Sequence, residues 1–265
     1  MPSIPLPEFI MLSKRQFKAL LRSRSMTFMR NLHPSKAGKG EESIAWKGRQ
    51  VFYRAGSGDA SIINDVLLRT RGEYWVPQEV NPEVILDIGA NIGTATLYFA
   101  HRFPDAKIYA FEPVPDNFAL LEKNVKGLPN VTVLPIALGS QDGELEISLA
   151  YDQNFGSFSF FSDPGLATQK IPVQIRAVAP YFAELGIKRA DLIKIDTEGA
   201  EYDILTALPV EILGAARWII GELHGIRDFE ALAYLSKWFD IGMKKPVTKN
   251  LYMFNAKNKD LALKR

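Results

Sequence analysis

The segment Val84 to Glu112, reading VILDIGANIGTATLYFAHRFPDAKIYAFE, constrains the fold of this chain more than any other stretch. Val84-Ile85-Leu86 is an apolar run that ends in Asp87 and a turn in which Gly89 and Gly93 bracket Ala90-Asn91-Ile92. A short apolar run bounded by glycines predicts a buried strand entering a turn. Thr94 to Arg102 then spaces its apolar residues as a helix does, and Lys107 to Phe111 is a second apolar run closed by Glu112. The unit is strand, turn, helix, strand, with an acid at the tip of each strand.

Such a unit restricts where chemistry can occur. Ligands of open parallel sheets lie beyond the carboxyl ends of the strands, where helix N-termini also point. Gly89 and Gly93 would let a ligand approach the backbone closely. Glu112, ending the second strand, is placed to accept hydrogen bonds from both hydroxyls of a ribose. It stands 19 positions after Gly93, near the ~20-residue offset of ribose recognition. The turn departs from the dinucleotide fingerprint G-x-G-x-x-G, because Asn91 replaces the second glycine and Thr94 the third. That favours a nucleoside without a pyrophosphate.

Later segments repeat the pattern of a strand closed by an acid. Val131 to Leu138 reads as a third strand leading to a turn that holds Asp142. This residue is either an acceptor for an adenine amino group or ordinary Asp-Gly turn chemistry. Asp191 to Ile195 is a fourth strand, closed by Asp196 and followed through Gly199 by a helix over 200–208. Ala216 to Leu223 is a fifth, ending in Glu222 just before His224. An amphipathic helix is expected over Arg227 to Phe239 and a last strand over Asn250 to Phe254. Asp87, Glu112, the 137–142 turn, Asp196 and Glu222 then share one sheet edge.

The run Asp87-Ile88-Gly89-Ala90-Asn91-Ile92-Gly93, with Phe111-Glu112-Pro113 after it, resembles the S-adenosylmethionine site of class I methyltransferases. The DxGANxG spelling, together with Asp196-Thr197-Glu198-Gly199-Ala200-Glu201, is similar to the FkbM-type family, over about Ser61 to Glu222. The resemblance implies an α/β, doubly wound, mostly parallel seven-stranded Rossmann-like sheet with an N-terminal helical extension. The methyltransferase domain would occupy residues 46–265, behind a basic extension and linker at 1–45. Asp87, Gly89, Ala90, Asn91, Gly93, Thr94, Glu112, Pro113 and Asp142 would bind the cofactor. Arg71 to Trp75 would cover it, with Glu73 and Tyr74 against ligand or sealing the sheet edge. The aromatic stretch Tyr151 to Phe161, with Asn154, Gly156 and Ser159, would lie beside it. Where the family has Leu-Asp-x-Leu, this chain has Val178-Ala-Pro-Tyr-Phe182, so no role is carried over from that Asp.

Methyl transfer from a sulfonium is an in-line displacement that needs an aligned acceptor and, for a hydroxyl, a base within hydrogen-bond reach. Asp196, Glu222 and His224 are the catalytic candidates, with His224 or Asp196 as the base. Asp196, Glu198 and Glu222 could instead hold Mg2+ or Mn2+. Glu198 and Glu201 are equally readable as capping partners of the helix that follows. The expected acceptor is a hydroxyl of a sugar or other small natural product, a class implied by the resemblance. An NAD-dependent oxidoreductase and a non-catalytic scaffold are the rival readings.

Composition narrows the setting. No cysteine is present, which excludes disulfides, thiolate zinc sites and cysteine nucleophiles and fits a cytoplasmic location. Residues 1–12 are Pro-rich and lack the pattern of a signal peptide, and no apolar run is long enough to span a membrane. The formal charge is +7 over residues 1–40, −11 over 41–240 and +6 over 241–265. The acidic body disfavours a nucleic-acid partner. Lys14 to Arg30 reads as a basic amphipathic helix, suited either to an anionic membrane surface or to docking on the protein itself. His33 to Glu42 reads as a linker. Oligomeric state is not legible.

Overall fold

A computed structural model describes residues 13–33, 38–150, 168–244 and 252–260. Two short helices, α1 (Lys14–Ser23) and α2 (Met26–Asn31), precede a hairpin of β1 (Gly40–Trp46) and β2 (Arg49–Ala55) and the helix α3 (Asp59–Val66). Then come β3 (Val84–Ile88), α4 (Thr94–Arg102), β4 (Lys107–Phe111), α5 (Pro115–Val125) and β5 (Val131–Leu134). The strands β6 (Ala137–Gly139), β7 (Gly143–Ala150) and β8 (Thr168–Ala177) lead to α6 (Val178–Glu184) and β9 (Leu192–Ile195). The helices α7 (Glu201–Ala207) and α8 (Val210–Ala215) connect to β10 (Trp218–Leu223), followed by α9 (Ile226–Leu235), β11 (Phe239–Lys244) and β12 (Tyr252–Asn258).

Seven strands form one sheet in the order β11-β12-β10-β9-β3-β4-β5. β5, β4, β3, β9 and β10 are parallel, and β12 runs antiparallel to both its neighbours. This is the doubly wound, mostly parallel sheet that the motifs implied. The chain steps from β3 to β4 and β5 on one side and returns through β9 on the other, so strand order reverses at β3. The crevice beyond the carboxyl ends at that reversal is where open α/β sheets take their ligands.

Both faces of the sheet are covered, as period-two alternation in strands without a solvent face requires. Ile85, Ile108 and Leu192 pack with Phe99, Leu121 and the N-terminal elements. Their strand neighbours Leu86, Tyr109 and Ile193 pack with Phe182, Leu205 and Leu235 on the opposite face. Residues 13–33 contribute to the first of these layers. Ala19 and Phe28 are fully buried, and Phe28 meets Tyr53 edge-on at 5.6 Å. The boundary expected at residues 45 and 46 therefore falls inside β1, whose Ile44 and Trp46 are buried in alternation with exposed Ser43 and Ala45.

Three local expectations are corrected. Lys14 to Arg30 is two helices, because Arg24 takes a left-handed backbone (φ 52°) that ends α1 and Ser25 Oγ caps α2 by accepting from the Phe28 N–H. Residues 131–138 are two strands in different sheets: β5 pairs with β4, whereas β6 joins β8 in a separate three-stranded sheet. Pro135 stands at the break and has no N–H for a ladder. The helix expected to reach Phe239 ends at Leu235, and Phe239 opens β11. The aromatic stretch 151–161 lies outside the described residues.

Gly89 takes a left-handed backbone (φ 77°) and packs closely against the end of β9. A Cβ there would collide with the carbonyl oxygen of Asp196 and stand 2.8 Å from its carbonyl carbon. Gly89→Ala is expected to lower stability by about 3 kcal/mol, from left-handed backbone plus overpacking. Gly143→Ala, whose Cβ would meet nothing within 4 Å, should stay within about 0.5 kcal/mol. Urea unfolding of both variants checks this; equal midpoints would mean that the tip of β9 yields freely.

Candidate active site

The turn after β3 is closed by its own neighbours. The N–H groups of Gly89 and Ala90 donate to the Phe111 carbonyl at 3.0 and 2.9 Å, and that of Asn91 donates to Glu112 Oε2 at 2.8 Å. Glu112 Oε1 also accepts from Val114 N, just after Pro113, at 2.9 Å and from Asn117 Nδ2 at 3.4 Å. Burial raises the Glu112 pKa, against the pull of these donors and of Lys194. A carboxylate has about four lone-pair sites, so one is left for a further donor. Asn91, held at φ 50°, has a buried Oδ1 with no hydrogen-bond partner. Ala90 and Thr94 are buried in the same turn.

Directly across the sheet from Asp87 stands Lys194, its register partner on β9. Both are buried. Lys194 Nζ lies 3.3 Å from Asp87 Oδ1 and donates to the Gly89 carbonyl at 2.5 Å, while Thr96 Oγ1 donates to Asp87 Oδ2 at 2.6 Å. Burial works against the ammonium, but Asp87 and Asp196 outweigh it and the Lys194 pKa is raised. Asp87 is thus an internal ion-pair partner that holds the turn. Lys194 was not singled out from sequence, although a cation inside the apolar strand DLIKI is the signal that could have marked it.

Asp196, Glu198, Glu222 and His224 do converge, at the ends of β9 and β10, together with Glu201 of α7. His224 Nδ1 lies 3.0 Å from Glu201 Oε1, and its Nε2 faces Asp196 Oδ1 and Glu198 Oε2 at 3.4 Å and Glu222 Oε2 at 3.8 Å. Burial alone would lower the His224 pKa; Glu201, Asp196 and Glu198 raise it to about 10. The ring is an imidazolium at neutral pH. Asp228 receives the backbone N–H of His224 and, at 2.7 Å, that of Gly225. Tyr74 reaches across to donate its hydroxyl to Asp196 Oδ2 at 2.6 Å, and burial and the charge of Asp196 keep its phenol well above its usual pKa.

Asp142 lies in the turn after β6. It accepts from the Ala177 N–H at 2.7 Å and pairs with Arg176 at 3.4 Å, with a largely exposed side chain. Its observed contacts tie the turn after β6 to the end of β8. Val178 to Phe182 forms the start of α6.

Residues 87–243, more than half of the chain, match the Methyltransferase FkbM domain. The chain belongs to that family. Among the relatives of this FkbM chain is Methyltransferase 1 of Beauveria bassiana, 28% identical over 196 residues that cover 65% of this chain and 78% of that protein. The 2-O-methyltransferase NoeI of Sinorhizobium fredii is 27% identical over 60% of this chain and 70% of its own. The AMB antimetabolite synthetase AmbE of Pseudomonas aeruginosa is 31% identical over 182 residues, but the chain spans only 8% of that protein's length. With this fold and family the chain is a methyltransferase of class I, whose methyl donor is S-adenosylmethionine. The β3 turn suits that donor, because the Asn91 Oδ1 left without a partner and the remaining capacity of Glu112 both accept N–H or O–H donors.

If Lys194 neutralises Asp87 as this geometry shows, Lys194→Met should cost about 3–5 kcal/mol by leaving a buried carboxylate unpaired. Adding Asp87→Asn should restore part of that loss. A double-mutant cycle in urea measures the coupling, and additive costs would remove the ion pair from the account.

Proposed function

We propose that this FkbM methyltransferase transfers the methyl group of S-adenosylmethionine to a hydroxyl oxygen of a sugar or another small natural product. The relative NoeI, named as a 2-O-methyltransferase, supports oxygen as the acceptor atom. The observation that carries the reading is the partly exposed carboxylate of Asp196, set at the strand-order reversal between the glycine turn and His224.

When bound, S-adenosylmethionine supplies a methyl group on a positively charged sulfur. The residues of the chain divide the remaining work. Glu112 and Asn91 hold the donor, with Gly89, Ala90, Gly93, Thr94 and Pro113 shaping the turn around it, and Asp87 supports that turn through Lys194. Asp196 takes the proton from the acceptor hydroxyl. Without a bound cation, Glu201, Asp196 and Glu198 raise the His224 pKa to about 10, so the ring serves as the charged partner of Asp196 and not as the base. Tyr74 fixes the other oxygen of Asp196. Glu222 is buried at the end of β10, with Oε2 3.8 Å from His224 Nε2. A divalent cation held by Asp196, Glu198 and Glu222 is the second way in which this pocket could acidify a hydroxyl.

Calorimetry with S-adenosylhomocysteine is expected to show one site on the wild type and lost or strongly weakened binding in Glu112→Ala. Asp196→Asn should retain that binding while kcat toward a hydroxylated acceptor falls by about 10²–10⁴. Methyl from labelled donor should appear on oxygen. Folded wild type that binds no cofactor would refute the reading.

The N-terminal segment carries a separate part of the proposal, contact with an anionic membrane surface by a cytoplasmic protein. On α1, Phe17 and Leu21 are exposed at 53% and 62% beside exposed Lys14, Lys18 and Arg22. No helix among the described residues is long and apolar enough to cross a membrane, whereas an amphipathic basic face can lie on one. Cosedimentation with phosphatidylserine-containing vesicles should be strong for wild type and weak for Phe17→Asp. It should fall as salt rises. Equal pelleting with neutral vesicles would exclude the charge-driven contact.

A further inference from the structure

We infer that the pocket at the ends of β9 and β10 binds one first-row transition-metal dication, ligated by His224 through Nε2 and by carboxylate oxygens of Asp196, Glu198 and Glu222. The inference rests on the proposed function in one respect, that this cluster is the acceptor side of the methyltransferase.

The ring nitrogen carries the argument. The His224 side chain is only 5% exposed, and its Nε2 is buried without a hydrogen bond. Three carboxylate oxygens surround it at 3.4, 3.4 and 3.8 Å. That is long for hydrogen bonds, but it is close to the separation of neighbouring ligands around a shared ion, because donors about 2.0–2.2 Å from a metal stand roughly 3–4 Å from one another. An ion there takes the position of the Nε2 proton.

The surroundings are those of a metal-binding histidine. Nδ1 lies 3.0 Å from Glu201 Oε1, and a carboxylate on the far nitrogen fixes the tautomer and aims the near one at the ion. Glu201 has donor atoms of Asp196 and His224 within 4.8 Å, yet it has no capacity to spare as a ligand. It is fully buried; its Oε1 accepts from Thr197 N and Oγ1, and its Oε2 from Gly199 N. It orients His224. The Tyr74 hydroxyl does the same for Asp196, occupying Oδ2 and leaving Oδ1 toward the ring.

The donor set selects the ion. Mg2+ prefers oxygen ligands and keeps several waters, whereas a mixture of imidazole and carboxylates suits Mn2+, Fe2+ or Zn2+. Bound beside the partly exposed Asp196, such an ion would polarise the acceptor hydroxyl as a Lewis acid.

The test uses the full chain after treatment with chelator, with Mn2+ as probe, read as loss of the free-ion paramagnetic resonance signal. S-adenosylhomocysteine binding is measured in parallel by calorimetry. One Mn2+ per chain is expected, displaced by Zn2+ but not by Mg2+. His224→Gln should abolish binding, and Glu201→Gln should weaken it by about 10–100-fold. Glu198→Gln, at a partly exposed position, should weaken it in a folded chain even if the His224 variant fails to fold. Wild type that binds S-adenosylhomocysteine but no Mn2+ or Zn2+ overturns the metal site and leaves the methyltransferase reading standing. Mn2+ binding without cofactor binding supports the site and removes the reading beneath it. Binding unchanged in His224→Gln and Glu198→Gln also overturns the inference, since the ion would then lie elsewhere.

Discussion

The close meeting of the β3 and β9 tips is the constraint on which the functional edge depends. Position 89 has no room for a side chain because the Asp196 backbone lies against it, and the Asp196 N–H donates to the Ile88 carbonyl at 3.0 Å. Lys194 closes the same junction from below by reaching both Asp87 and the Gly89 carbonyl. A buried pair of this kind brings a desolvation cost that Coulomb attraction only partly offsets. Its effect is positional: it sets the distance between the β3 turn and the Asp196 carboxylate. A one-residue slip in β9 would exchange Lys194 for an apolar neighbour and turn the ammonium to the other face of the sheet.

Much of this was legible in the sequence, for reasons tied to period and punctuation. The unit Val84 to Glu112 announced itself because buried parallel strands read as short apolar runs, glycines mark the turn and an acid closes each strand. Asp196, Glu222 and His224 were placed together by topology alone, since β9 and β10 end on the same edge. What was not legible depended on pairing. Nothing in VTVLPIAL states that its two halves belong to different sheets, except Pro135. β11 lacks the alternation of a half-buried strand, and its Phe239 extends the helical spacing of α9. The roles of Lys194 and Glu201 follow from which side chains lie across from them, and only the register supplies that.

Glu112 has work in the fold that its place in the sequence does not state. The offset from Gly93 marked it as a ribose acceptor, but in the fold its oxygens first satisfy the N–H groups of Asn91 and Val114. Those donors are what make a buried carboxylate at this depth tolerable. A substitution at 112 therefore acts on the geometry of the turn as well as on any ligand it holds.

The two halves of the site handle charge differently. Around the β3 turn each buried acid has a close counterpart, Asp87 with Lys194 and Glu112 with its N–H donors. At the ends of β9 and β10, Asp196, Glu198, Glu201 and Glu222 gather around the His224 ring, and Asp196 also feels the charge of Lys194. Of these, Glu201 and Glu222 are buried, and the bonds Glu201 accepts from Thr197, Gly199 and His224 account for its burial. Asp196 and Glu198 are the two that retain access to solvent. A pocket lined by these carboxylates favours positive charge at its mouth. The same field opposes loss of a proton from any group beside it.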